Sequence, residues 1–100
     1  MRAAERKVST DMSGIVKRAV AGTLESSDVF VEIEPGDSGI EVEIESVVLA
    51  QFGDAIRAAA LDVLKEQNIS DARVRLTDRG ALDCVIRARV ETAVARAKGD

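Results

Sequence analysis

The chain has 100 residues, which is room for one domain, and its 46% hydrophobic and 32% charged residues are ordinary globular composition. It has no histidine and a single cysteine, Cys84. These counts exclude histidine-dependent catalytic triads, internal disulfides and cysteine-rich metal sites. They favour a carrier, an adaptor or a subunit over a self-sufficient enzyme, in a reducing, cytoplasmic environment.

The net charge of −4 is distributed unevenly along the chain. Residues 1–18 carry five basic and two acidic side chains, whereas residues 19–100 carry nine basic and sixteen acidic ones. An acidic body disfavours nucleic acid as a partner, and no apolar run approaches the ~20 residues that cross a membrane. We predict that residues 1–18 form a flexible basic N-terminal extension, with a short helical turn near residues 15–18, and that residues 19–100 form a single domain.

Two segments of strict alternation predict a β-hairpin. They are VFVEIE at residues 29–34 and IEVEIE at residues 40–45, and PGDSG at residues 35–39 has the composition of a turn. The apolar side chains of both strands face the core in this prediction, and the glutamates face solvent. The polar residues 21–28 predict a surface loop before the first strand.

A helix is predicted over residues 47–67, where apolar residues recur at intervals of three and four. Ser46 is predicted to cap its start, and Asn68 to end it. The predicted buried stripe is Leu49, Phe52, Ile56, Ala59, Ala60, Val63 and Leu64.

The last third of the chain predicts a second hairpin and a final helix. Residues 73–77, RVRLT, alternate, and residues 78–80 supply a turn. Residues 81–90, ALDCVIRARV, fit either a helix or a strand. The strand is preferred because it buries Cys84 with the other apolar residues. A helix then runs from about residue 90 to residue 98.

Joining the two hairpins in one sheet would set acidic rows beside basic rows, which avoids like charges on neighbouring strands. The basic side chains on the outer face of the second hairpin are Arg73, Arg75, Arg87 and Arg89. The predicted fold is therefore α+β, in the order ββαββα, with a four-stranded, mostly antiparallel sheet and two helices on one face.

Few residues in this chain predict chemistry. The glutamates of the first hairpin lie on an open face, which indicates a solvated surface rather than a site. Cys84 has no histidine to activate it and is predicted to be a buried structural thiol. We predict no catalytic residue and no metal ligand. Ser26 and Ser27, in the loop before the first strand, have no adjacent base but could accept a group from a modifying enzyme.

Three segments carry a resemblance to a known family. They are AVAGTLESSDVFVEIEP at residues 19–35, QFGDAIRAAALDVL at 51–64 and DRGALDCVIRARVETAVARA at 78–97. Together they resemble the citrate lyase acyl carrier proteins, the gamma subunits of that enzyme, over roughly residues 15–98. The carrier subunit of malonate decarboxylase is similar in organisation but lacks the Gly-Thr-Leu-Glu-Ser pattern found here.

The resemblance implies that Ser26 is the attachment site of a covalent prosthetic group, 2′-(5″-phosphoribosyl)-3′-dephospho-CoA. Spacing alone does not separate Ser26 from Ser27, so this choice rests on the family pattern. The implied partners are the alpha subunit (a transferase), the beta subunit (a lyase) and the prosthetic-group transferase, in bacterial citrate fermentation. The alternatives are a carrier for a malonate decarboxylase-like complex and a non-catalytic adaptor that has no prosthetic group.

Overall fold

The computed structural model describes residues 14–99, which form a four-stranded mixed sheet and two helices. The elements are β1 (Ala19–Gly22), β2 (Val29–Glu34), β3 (Ile40–Ser46), α1 (Leu49–Glu66), β4 (Ala72–Asp78) and α2 (Asp83–Ala97). The predicted α+β class is confirmed, as are the number of strands, four, and the number of helices, two, although one of the predicted strands is not among the four. The predicted order ββαββα is wrong, because the order is βββαβα.

The sheet has the strand order β1-β2-β4-β3, so the predicted pairing of residues 29–34 with residues 40–45 is wrong. Instead β4 lies between these two strands, antiparallel to β2 and parallel to β3. The register places Arg75 between Glu32 and Glu43. A hairpin of β2 and β3 would have set glutamates opposite glutamates, and the inserted arginines of β4 remove that repulsion.

Both helices cover the same face of the sheet and close one apolar core. The inward side chains of β2 and β4 are the predicted ones, and all of them are buried. α1 packs against β3, α2 packs against β1 and β2, and the two helices pack against each other. The largest fully buried apolar side chains are Ile33, Leu64, Leu76, Val29, Val31, Val63, Val90 and Val94.

Helix α1 follows the prediction except at its first turns. Its buried residues begin at Ile56, whereas Leu49 and Phe52, which were predicted to be buried, are about half exposed. Ser46 is the last residue of β3 and does not cap the helix, since Val48 occupies that position without a side-chain hydrogen bond. Asn68 ends the helix as predicted, in the left-handed conformation with φ +60°.

The segment 81–90 does not form the predicted strand, because α2 begins at Asp83. The helix buries Ile86, Val90, Ala93, Val94 and Ala97, which recur at helical spacing along one face. Cys84 is consequently exposed, not buried as predicted. The fourth strand is β1, which is four residues long and whose last two residues lie in the segment 21–28 that was predicted to be a surface loop.

The predicted flexible extension falls mainly on residues 1–13, which lie outside the described part of the chain. Residues 15–18 do not form the predicted helical turn. Ile15 is instead buried in the core, and the backbone N–H of Val16 donates to the carbonyl of Ala97 (3.0 Å). Within residues 14–99, neither helix is long and apolar enough to cross a membrane.

Candidate functional site

Ser26 and Ser27 lie at the corner of the β1–β2 hairpin, in a segment that we call the serine turn, residues 23–28. The N–H of Asp28 donates to the carbonyl of Glu25 (3.1 Å), which makes the two serines the central residues of a β-turn. Both serines are exposed. Ser27 has φ +66°, as the third residue of a type II turn requires, and Ser26 is the second residue of that turn.

The serine turn is tied to the loop that joins β4 to α2. The N–H of Ser27 donates to the carbonyl of Arg79 (2.8 Å), and the N–H of Arg79 donates to the carbonyl of Asp28 (2.9 Å). These bonds extend the β2–β4 ladder beyond its last strand pair, Val29 with Asp78. The turn is therefore held by its backbone, while the Ser26 side chain projects from it into solvent.

Asp28 is the centre of a hydrogen-bond network that fixes the same turn. Its carboxylate accepts from the Thr23 hydroxyl (2.7 Å), from the N–H of Val29 (2.7 Å) and from Arg89 Nε and Nη2 (3.0 Å each). The hydrogen bond from Thr23 and those from Arg89 lower the pKa of Asp28 from 3.8 to about 2. The two-pronged bond from Arg89 is the strongest geometry available to such a pair.

Gly22 makes the close approach of the two hairpin strands possible. It has φ +88°, and a Cβ atom there would lie 1.9 Å from the carbonyl oxygen of Val29 and 3.3 Å from Arg89 Cδ. No residue with a side chain fits that space without moving the backbone. Gly22 therefore fixes both the path of the chain into the serine turn and the room for Arg89.

Asp78 fixes the loop to which the serine turn is bonded. It is the one buried charged residue among those described, and its carboxylate accepts from the Ser46 hydroxyl (2.7 Å) and from the N–H groups of Gly80 (3.2 Å) and Ala81 (2.9 Å). These bonds join the end of β3 to the loop that holds Ser27. Gly80, the last residue of the predicted turn at residues 78–80, has φ +92°, a conformation that glycine tolerates.

Sequence reasoning identified the serines but missed the residues that position them. Arg89 was predicted on the outer face of a strand, whereas it lies on α2 and reaches Asp28, 61 positions away in sequence. Because no periodic pattern links residues so far apart, only the tertiary structure shows this pair. Gly22 and Asp28 were visible only as residues typical of a loop.

The other residues considered for chemistry form no second site. The glutamates of β2 and β3 lie on the outer face of the sheet, where Glu32 pairs with Arg18 (2.7 Å) and Glu43 with Arg75 (3.7 Å). Among residues 14–99, no cluster of three potential metal ligands occurs. Nor does any side chain among residues 14–99 form a hydrogen bond with the hydroxyl of Ser26, so none of these residues is placed as a base to activate it.

The lowered pKa of Asp28 predicts that acid loosens the serine turn. Since the folded-state pKa is about 2 and the reference value is 3.8, the stability that Asp28 contributes is complete above about pH 4 and declines as the pH falls towards 2. We expect the melting temperature of the wild type to exceed that of Asp28→Asn at pH 6. The difference should shrink as the pH falls from 4 to 2. A difference that stays constant over that range would contradict the assignment.

Comparisons with known proteins give consistent results. Residues 16–97 match the family model described as malonate decarboxylase delta subunit. The citrate lyase acyl carrier protein of Edwardsiella ictaluri (strain 93-146) is 56% identical over 81 residues, a match that covers 79% of this chain and 82% of that protein.

A solved structure supports the fold independently. A chain in the crystal structure of a Pseudomonas malonate decarboxylase hetero-tetramer in complex with malonate superposes with a TM-score of 0.73. The match covers 83% of this chain and 86% of the other, at 23% sequence identity. At that identity the likeness establishes the architecture and nothing more.

Proposed function

Since this chain belongs to the acyl carrier family matched by that model, we propose that it is the carrier subunit of a citrate lyase, with Ser26 as the attachment site of its prosthetic group. In this role it is a non-catalytic subunit of a multi-subunit enzyme that converts citrate to oxaloacetate and acetate. The 56% identity to a citrate lyase acyl carrier protein over most of both chains supports this function. The finer assignments below rest on the family resemblance and on the geometry of the serine turn.

The proposed prosthetic group is 2′-(5″-phosphoribosyl)-3′-dephospho-CoA, linked to Ser26 through a phosphodiester. When bound, it supplies a thiol that holds acetyl and citryl groups as thioesters. The proposed partners are the alpha subunit (a transferase), the beta subunit (a lyase) and the enzyme that attaches the group. In this arrangement the carrier only has to hold the prosthetic group, present it to solvent and dock with the partner subunits.

The single observation that carries the proposal is the exposure of Ser26 at the corner of a braced turn. A bulky group can be added to this hydroxyl without displacing any core side chain. The backbone bonds of Ser27 and Asp28 with Arg79 hold the turn in place, so a modifying enzyme would meet a preformed loop. This preformed shape reduces the entropy cost of binding to that enzyme.

The charges around the turn are compatible with a phosphodiester. Asp28 is next to the serines, but its charge is compensated by the paired hydrogen bonds from Arg89. Glu25 is exposed, so the high dielectric constant of water weakens its repulsion of a neighbouring phosphodiester. An anionic link at Ser26 therefore meets little uncompensated charge, and water remains available to it.

Peptide mapping of protein purified from its native host tests the attachment. We expect a tryptic peptide containing the serine turn to carry an adduct with the mass of the proposed group, and fragmentation to place it on Ser26. Unmodified peptide throughout a preparation from active cells would contradict the proposal and favour a non-catalytic adaptor. An adduct of another mass would leave the carrier function in place and correct the identity of the group.

The second candidate is a carrier for a malonate decarboxylase-like complex, which is favoured by the description of the matching family model. The two candidates differ in their partners and substrates. Subunits that copurify with the chain and cleave citrate would support the first candidate, whereas subunits that decarboxylate malonate would support the second.

A further inference from the structure

An apolar groove of about 380 Å³ opens between α1, α2 and the loop at residues 78–82. Ile56 and Ile86 are buried at its base, whereas Phe52 and Leu82 at its rim are 52% and 71% exposed. Large apolar side chains that are exposed around a concave surface are typical of a binding site. The groove is therefore available to an apolar ligand of modest size.

The groove begins beside the serine turn. Arg79, which is bonded through both its N–H and its carbonyl to residues of that turn, is followed directly by Gly80, Ala81 and Leu82 on the wall of the groove. Asp78, at the start of the same loop, fixes that wall through its bonds to Gly80 and Ala81. The serine turn and the groove thus both adjoin the loop at residues 78–82.

We propose that this groove binds the thiol end of the prosthetic group while it carries an acetyl group, an inference that rests on the proposed function. The pantetheine end of a CoA derivative is an uncharged chain of methylene and amide groups, and an acetyl thioester adds no charge. Its apolar portions can pack against Phe52 and Leu82 while its amides stay at the open mouth. The phosphodiester and the pyrophosphate, which are anionic, stay in solvent.

The charge of the groove discriminates between the two acyl groups. Asp78 and Asp83 line it, and none of its lining residues is a lysine or an arginine. The nearby guanidinium of Arg87 is already shared between Asp83 (2.7 Å) and Asp62 (3.2 Å). A citryl thioester carries carboxylates that would find no cation among the lining residues, so the citryl form is excluded and remains free for a partner.

The covalent tether makes even a weak site effective. A flexible linker of suitable length gives its end a local concentration on the order of millimolar. A groove with a millimolar dissociation constant would then be about half occupied, and a tenfold tighter one would be about nine-tenths occupied. An acetyl thioester bound in the groove to this extent would react with nucleophiles in solution about twofold to tenfold more slowly than an unbound one.

The test measures cleavage of the acetyl thioester by hydroxylamine, whose nitrogen attacks the carbonyl to form acetohydroxamate and release the thiol. The assay uses holo protein that carries the substitution Cys84→Ser, so that the thiol of the prosthetic group is the only protein thiol detected. We expect a rate about twofold to tenfold below that of acetyl-CoA, and a return to the acetyl-CoA rate in Phe52→Ser/Leu82→Ser. Leu61→Ser, an exposed position on α1 outside this groove, is the matched control and should keep the wild-type rate.

A second readout follows the groove directly by NMR. The side-chain signals of Phe52 and Leu82 should shift between the unmodified and acetyl forms, and should return to the unmodified positions in the citryl form. Equal hydroxylamine rates in all variants, with unshifted signals, would overturn the groove proposal. If the variants then slowed acyl exchange by the partner subunits, the groove would be assigned to partner docking instead.

The same preparations separate this proposal from the proposed function. An intact-mass measurement before the kinetic assay shows whether the prosthetic group is present. Its absence would contradict the proposed function and remove the ligand of the groove with it. Its presence with an unprotected thioester would contradict the groove alone.

Discussion

Protein with Ser26→Ala should emerge from its native host with no prosthetic group at all. The substitution removes the only atom of residue 26 that can form the phosphodiester, so the expected effect is complete loss rather than a reduction. Because Ser26 is exposed and its side chain bonds to no described residue, the free energy of unfolding should change by less than about 0.5 kcal/mol. Intact mass measures the first outcome, and thermal unfolding measures the second.

Ser27→Ala is the matched control. This serine is also exposed, and it holds the turn through its backbone N–H, which alanine retains. Alanine replaces serine in the same left-handed conformation, so little strain is added. The Ser27→Ala protein should therefore keep its adduct. A reversed pattern, with the adduct lost only in Ser27→Ala, would move the attachment site by one residue.

The sequence predicted the positions of individual strands better than it predicted which strands pair with each other. Alternation in residues 29–34 and 73–77 correctly predicted which side chains face the core, because that depends only on the two-residue period of a strand. Pairing depends on the neighbours that a strand meets after folding. The predicted hairpin of residues 29–34 and 40–45 ignored β4, whose arginines separate the two glutamate rows.

The first half of the helix at residues 83–97 was predicted to be a strand because the amphipathic pattern of this helix is weak. Two of its five buried residues are alanines, and Arg87 and Arg89 interrupt the apolar residues at the spacing of a strand. Burial of Cys84 was used to choose the strand, but the structure exposes that thiol. Tertiary packing against β1 and β2 determines that this segment is a helix, and local propensity does not.

The candidate site shows the same division between local and long-range information. The exposed serines were found in the sequence because they lie in a polar loop between predicted elements. The Asp28–Arg89 pair, the Ser27–Arg79 backbone bond and the support from Asp78 join parts of the chain that are distant in sequence. These contacts turn a loop into a rigid platform, and that rigidity could not be predicted from its composition.

Gly22→Ala should destabilise the protein by about 3 kcal/mol or more, among the larger effects of a single substitution. Alanine at φ +88° is strained by about 1 kcal/mol. Its Cβ would also lie 1.9 Å from the carbonyl oxygen of Val29, which is backbone and cannot rotate away. The strands must therefore separate, and the melting temperature should fall by more than about 10 °C.

Gly39→Ala is the control that separates the cost of a positive φ from the cost of the steric clash expected in Gly22→Ala. Gly39 has φ +100°, but a Cβ atom there would meet nothing within 4 Å. The free energy of unfolding of Gly39→Ala should fall only by the cost of placing alanine at a positive φ, about 1 kcal/mol. Equal losses in the two variants would show that the backbone at Gly22 can relax freely.

Gly22 also connects stability to function. Movement of the hairpin strands would displace Val29 and the neighbouring Asp28, and so weaken the bonds that Asp28 makes to Thr23 and Arg89. Attachment of the prosthetic group to Gly22→Ala should consequently be slower than to Gly39→Ala, even at a temperature where both proteins are folded. This outcome would separate the role of a braced serine turn from the overall stability of the domain.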